Sequence, residues 1–348
     1  MLFVCPPGAS SMVFDGLFSK RPGVKMKMIH RTICSGLLAL SALAQAEDKP
    51  KTYHAPRLPD GHADMEGIWK NSNLTPLERP PEFSQLTITA ADAARLKAQY
   101  LAGTGGANQP DDPGRGLEDR NYEPIRGNLR SSQIIDPDDG KIPWNEAFKA
   151  KAVALRRTVL NAFDNPEERP AIERCLSSSG APPMQPNLDG NIYQFVQTPA
   201  TTVIVSEWAH DARIIRMKGT HSPAAITSWL GDSVGWWEKD TLVVETKYFA
   251  PSSAVRLNAR YVYFVSPETV VIERFTRVSD SELNYVFTVS DPSFYTRPWT
   301  GETHLLRSRD RMFEYACHEG NYSMRNILEA ARANDVKIST VVLPTSAK

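Results

Sequence analysis

What this chain lacks narrows its class before any motif is considered. Its most apolar stretch, Ile33–Ala44 ("ICSGLLALSALA"), has 12 residues, whereas a spanning helix needs about 20. Charge of one sign is not in excess: 40 Lys and Arg stand against 40 Asp and Glu. That balance argues against nucleic acid, which needs a concentrated basic patch, and against an anionic membrane surface. Cysteine is scarce, with four in 348 residues. No Gly-x-Ser-x-Gly elbow, no phosphate-binding glycine loop with its lysine, no Gly-x-Gly-x-x-Gly before a helix and no HExxH is present. "GTGGAN" from Gly103 has no strand before it and reads as linker.

The N-terminus has the order of a signal peptide. Lys20, Arg21, Lys25, Lys27 and Arg31 precede the apolar run, and Ala44-Gln45-Ala46 follows it. Residues 1–46 are therefore expected to be a leader with an N-terminal extension, cleaved after Ala46, with Met26 or Met28 as alternative starts. The mature chain is expected in the periplasm or secreted, with no integral membrane segment. Removing the leader's five Lys/Arg and one Asp leaves 35 basic and 39 acidic residues, a balance of −4.

The leader also takes Cys5 and Cys34, leaving Cys175 and Cys317. An even pair in an oxidising compartment is expected to form a disulfide. On the chain-entropy model, closing a loop of this length stabilises the fold by about 4–5 kcal/mol. Neither sulfur has a second cysteine close by, so a thiolate metal site is not expected.

Residues 47–83 are rich in proline and read as an extended wrap, with "EGIWK" (Glu66–Lys70) as its one strand. Residues 84–175 read as a helical insertion. Thr89 caps "TAADAARLKAQYLAG" with Asp92 three residues on and Gly103 as its stop, and a second helix is expected from about Asn145 to Phe163. From 176 to 348 the chain reads as an antiparallel barrel with a C-terminal helix, "MRNILEAARAND". The strands expected there are "TTVIVSEWA", "DARIIRM", "DTLVVETKYF", "RYVYFVS", "TVVIERFTRV" and "ELNYVFTVSD". "DPSFYTRPWTGE" reads as a crossing in which Tyr295, Arg297 and Trp299 close one end. The fold class is mainly β with helical insertions, an antiparallel barrel with helices packed outside, and 47–348 form one integrated domain. Gly67-x-Trp69 is similar to the first strand of lipocalin-type barrels, where the tryptophan plugs one end.

Four groups of residues suit chemistry. In "TVVIERFTRV", Glu273 and Arg274 fall on opposite faces, each among apolar neighbours. Either a Glu–Arg pair bridges strands or charges line a ligand cavity, with Arg213 as another candidate for an oxyanion or carboxylate. In "SEWAHDARIIRMKGTH", His210 and Asp211 either make a tight turn or place an imidazole, oriented by a carboxylate, for proton transfer. His221 is a further ligand-contact candidate. In "YACHEGNY", His318 and Glu319 stand beside Cys317, so a bridged cysteine fixes a catalytic backbone, or His318 merely caps the last helix. Finally, Trp208, Tyr263, Tyr295 and Trp299 either fill the core or rim a cavity for an aromatic ligand. No cofactor is expected; zinc on His210, His221, His318 and Glu319 is an alternative without supporting spacing.

The runs "TPLERP", "GAPPM", "HDARII", "WLGDSVGWWEKDTLVVET", "ERFTRV", "FTVSDPSFYTRPWT" and "EYACHEGNY" resemble a group of secreted bacterial proteins. That resemblance implies export and one integrated unit, and implies no activity. The leading expectation is an exported acid–base enzyme, a lyase, isomerase or hydrolase, acting on a small apolar or aromatic molecule in a barrel cavity. His210 and His318 would move protons, with Asp211 or Glu319 orienting them. The alternatives are a non-catalytic carrier for such a molecule and a cell-envelope interaction module.

Overall fold

Strands with alternately buried and exposed side chains from the second half of the chain, joined by one strand from the first half, form a closed barrel. The computed structural model describes residues 53–103, 120–149, 163–169, 171, 173–176, 181–185, 191–251, 255–258 and 261–340. The expected leader, the "GTGGAN" linker after Gly103 and the expected second helix beyond Lys149 lie outside the described residues.

In chain order the elements are β1 (Gly67–Lys70), α1 (Ala90–Gly103), β2 (Ile134–Asp136), β3 (Ile192–Gln197), β4 (Thr201–Ser206), β5 (Ala212–Met217) and β6 (Asp232–Glu238). They continue with β7 (Thr241–Lys247), β8 (Val255–Asn258), β9 (Tyr261–Phe264), β10 (Val270–Ser279), β11 (Glu282–Ser290) and β12 (Trp299–Arg307). Two helices close the described chain, a short α2 (Cys317–Gly320) and α3 (Tyr322–Thr340).

Nine strands pair in the order β1-β3-β4-β5-β6-β7-β10-β11-β12, and β12 returns to β1 through Trp69↔Arg307 and Lys70↔Leu306. Closure removes most of the sheet edge that would otherwise invite aggregation, although β6 pairs with only the last three residues of β5. The barrel is mixed rather than wholly antiparallel: β5 and β6 run parallel. Parallel neighbours need a crossover of a dozen or more residues, and the segment between Met217 and Asp232 provides it. "RYVYFVS" was expected in the barrel, but β9 pairs with β8 in a separate hairpin. "DPSFYTRPWTGE" is a crossing only in its first half, because Trp299 opens β12.

Inward positions carry aromatic residues. Trp69, Tyr193, Phe195, Phe275, Tyr285, Phe287 and Trp299 are fully buried. Phe275 and Tyr285, cross-strand partners, stack at 4.8 Å, and Phe287 meets Trp299 edge to face at 5.8 Å. Gly301 lies opposite Phe287, and a Cβ there would collide with the ring, so glycine is required for that close approach. Trp69 is buried on β1. Its Nε1 donates to the Met65 carbonyl at 2.9 Å, and the guanidinium groups of Arg307 and Arg277 lie 5.0 and 5.9 Å from its ring centroid.

The N-terminal wrap adds Ala55, Ala63, Met65 and Leu77 to the main core. Thr89 and Asp92 cap α1 reciprocally, the Asp92 N–H donating to Thr89 Oγ1 at 3.1 Å and the Thr89 N–H to Asp92 Oδ2 at 3.2 Å. This helix packs on a second small core of Leu74, Ile88, Leu96 and Tyr122. On α3, Leu328 is buried.

Candidate functional site

Two charged side chains meet inside the barrel. Arg213 from β5 donates to Glu273 from β10 through Nη1 at 2.6 Å and Nη2 at 3.2 Å. The Tyr285 hydroxyl donates to Glu273 Oε1 at 2.8 Å and accepts the Met184 N–H at 2.8 Å. Burial, with the Glu273 charge adding to it, pushes the Tyr285 phenol well above its usual range. Arg213 and Glu273 thus spend their charges on each other. Arg274, the outward neighbour, pairs with Glu238 at 2.6 Å on the outer face.

The histidines lie elsewhere. The chain leaves β4 through a short 3-10 turn, Trp208–His210, in which Ala209 and His210 both take positive φ, 59° and 54°. Cys175 has φ 57° and bridges to Cys317, with Cα atoms 5.7 Å apart. Non-glycine residues rarely occupy this region, at a strain of about 1–3 kcal/mol each. Three of the seven non-glycine residues with positive φ, Cys175, Ala209 and His210, line one cleft of about 250 Å³, together with Glu314, Tyr315, Ala316, Cys317, His318 and Glu319. His210 Nε2 lies 3.9 Å from Glu314 Oε1.

Packing and cross-linking hold the walls. Trp208 stacks on Tyr315 at 4.5 Å, and the Phe313 N–H donates to Glu207 Oε1 at 2.8 Å. Asn321 Nδ2 donates to the Glu173 carbonyl at 2.9 Å. The disulfide and these contacts dock the 313–321 segment against both the 173–176 stretch and the turn after β4. His210, His318 and Glu319, singled out in the sequence, are therefore brought together. Asp211 is not among that cleft's residues and lines a second cleft instead.

His221 occupies a third place. Its Nδ1 faces Asp232 Oδ2 at 2.7 Å and its Nε2 faces Glu245 Oε1 at 3.0 Å. For both contacts to be hydrogen bonds the ring must donate from both nitrogens and carry a positive charge. Asp232 also accepts from Arg216 through two 2.9 Å bonds and from Ser222. Burial raises the Asp232 carboxyl, but the bonds from Arg216, His221 and Ser222 outweigh it and hold it well below the carboxylate range. Glu245 is likewise lowered on balance: burial raises it, and Lys247 and His221 pull it down further.

The aromatic candidates are in or near the core. Tyr295 donates to the Phe264 carbonyl at 2.8 Å and Tyr263 to the Pro183 carbonyl at 3.2 Å, both buried; Trp299 is buried within the barrel. Trp208 is buried at the wall of the histidine cleft.

Sequence reasoning missed Glu314 as a lining residue, although it directly precedes "YACHEGNY". It also missed a buried polar network on the outer face of β11 and β12. There Glu302 pairs with Arg130 and accepts from Asn284 at 3.0 Å, while His304 contacts Asn73 at 3.3 Å and Glu282 at 3.2 Å. Among the described residues no group of three or more His, Cys, Asp or Glu is placed to hold a metal ion, and no helix is long and apolar enough to cross a membrane.

No family model, no curated protein and no solved structure matches the chain.

Proposed function

We propose that this chain is an exported acid–base enzyme, a lyase, isomerase or hydrolase, whose reaction takes place in the cleft between His210 and His318. The carrying observation is the convergence of two imidazoles from distant parts of the sequence on one cleft whose backbone is strained and cross-linked. Strained conformations persist only where the surroundings over-determine them, and they cluster at functional sites.

In this reading His318 takes a proton from the bound molecule as the neutral base. His210, close to Glu314, returns one as the acid, and Glu319 orients the pair. Proton loss and gain balance over one turnover. Tyr315 and the disulfide offer an apolar wall to a small molecule with an aromatic or apolar body. The reaction sits outside the barrel, because the inward positions are taken by aromatic side chains and the Arg213–Glu273 pair. The leader-like residues 1–46 and the disulfide support export.

A second reading, an interaction module of the cell envelope, draws on the exposed apolar residues Val196, Ile214 and Phe313.

The test is a thermal-shift screen of residues 47–348 against aromatic and terpenoid compounds, followed by turnover of each hit. Ala at His210 or His318 is expected to lower turnover at least about 100-fold. Equal turnover in wild type, His210→Ala and His318→Ala removes both histidines from the mechanism. A screen with no turnover at all favours the interaction module.

A further inference from the structure

The parallel junction of β5 and β6 is incomplete. β6 pairs with only Ile215, Arg216 and Met217 of β5. Ahead of that, Ala212–Ile214 has β4 on one side and no strand beside it on the other among the described residues. Bond direction can be read from the ladder. The Ser206 N–H bonds the Asp211 carbonyl and the Met217 N–H bonds the Ala200 carbonyl, so the odd-numbered residues of β5 serve β4. The even-numbered ones, Ala212 and Ile214, aim their backbone groups away from it.

A cleft of about 420 Å³ opens there, its lining including the apolar Leu176, Ala212, Ile214, Trp229 and Leu230 and the charged Asp211, Arg213, Arg216 and Asp232. The outward face beside it is apolar. Val196, Val203 and Ile214 form one cross-strand row over β3, β4 and β5, and Ile214 is 59% exposed. The parallel pairing of Ile215 with Ser233 takes up the Ile214 carbonyl, so the groups with no strand partner among the described residues are the Ala212 N–H and carbonyl and the Ile214 N–H. Exposed β-branched side chains next to such groups are the two components of strand-addition recognition: main-chain bonds supply affinity and alternate side chains supply choice. Arg216 and Asp232 bind each other at 2.9 Å.

We infer that Ala212–Ile214 is a docking edge for an extended peptide with apolar residues at alternate positions. Such a peptide continues the β5 ladder, placing one apolar side chain over Ile214 and Leu176 and directing its backbone to the Ala212 N–H and carbonyl. This inference is independent of the catalytic reading, because it uses neither His210 nor His318.

The probe is the blocked mixture acetyl-Thr-Xaa-Thr-Xaa-Thr-amide, with Xaa drawn from Val, Ile, Leu and Phe, titrated calorimetrically into residues 47–348. Saturable binding is expected, weakened at least tenfold in Ala212→Pro and in the mixture N-methylated at every residue. Proline at 212 deletes a donor aimed at the cleft while leaving the β4 ladder its own partners. If Ala212→Pro does not fold, the N-methylated mixture decides alone. Absence of saturable binding, or equal binding after N-methylation, overturns the inference.

Discussion

Arg213 and Glu273 meet across the barrel interior from strands that are not neighbours, since β6 and β7 lie between β5 and β10 in the sheet order. The pair therefore braces the barrel from within instead of zipping adjacent strands. Breaking a buried pair leaves one uncompensated charge, which destabilises by about 3–5 kcal/mol, whereas replacing both partners by apolar residues is often close to neutral. Urea denaturation is expected to show that loss in Arg213→Met and in Glu273→Leu, and to show the double variant more stable than either single one. A double variant as unstable as the sum of the two would mean the residues act separately.

The Cys175–Cys317 bridge closes a sequence separation of 142 residues and anchors the histidine cleft. Replacing both cysteines by serine is expected to remove up to about 4–5 kcal/mol, because the unfolded chain gains the freedom the loop denied it. It should also release the 313–321 segment. Limited proteolysis near Phe313, exposed in the structure, is the sensitive readout. Unchanged cleavage there would show that the Trp208–Tyr315 stack and Asn321 suffice without the bridge.

The parts of the fold legible in the sequence are those fixed by short-range physics. Thr89 with Asp92 declared a helix start, the alternating pattern of "TVVIERFTRV" declared β10, and "EGIWK" declared the strand that carries the buried Trp69. The cysteine pairing followed from the even count left after the expected leader is removed, taken with an oxidising compartment. The misses have a common cause, which is burial created by distant chain. β12 ("WTGETHLLR") looks too polar for a strand until Glu302 is seen beneath Arg130, 172 residues away. β6 ("DSVGWWE") is diluted by Gly235, which is needed because a Cβ there would run into Ile215. The candidate histidines were visible as residue types. That His210 and His318 share a cleft while His221 sits in a separate carboxylate clamp is decided by strand order, which no local window contains.

Trp69 joins both ends of the chain's barrel. It pairs in register with Tyr193 and Arg307, and Arg277 covers its ring from β10. Trp69→Ala is expected to cost about 3–5 kcal/mol, combining lost burial with a cavity. Trp69→Phe should retain more of the packing but lose the Nε1 bond to Met65. Thermal unfolding of the two variants checks the order. Equal midpoints for Ala and Phe would show that ring packing at this position does not stabilise the barrel.

Asp232 and Glu245 grip His221 from two strands, β6 and β7, and so tie the Lys218–Gly231 crossover to the barrel wall. Both carboxyls lie below their ordinary values in the folded chain, their hydrogen bonds outweighing burial. A carboxyl held lower when folded binds fewer protons than in the unfolded chain, so its contribution is complete above the ordinary carboxylate range of about 4. The contribution then fades as pH falls below that range toward the folded values. The gap in unfolding free energy between wild type and Asp232→Asn is therefore expected to be largest from about pH 5 to 7, where losing charged hydrogen bonds amounts to about 1–3 kcal/mol. It should shrink steadily below about pH 4, as the wild-type carboxyl also becomes protonated. His221→Gln should lose part of the same stabilisation, because glutamine cannot donate to two carboxylates on opposite sides of a ring. Denaturant titrations at several pH values measure the gap directly. A gap that stays constant down to pH 2 would mean that Asp232 stabilises the crossover through packing and not through its charge.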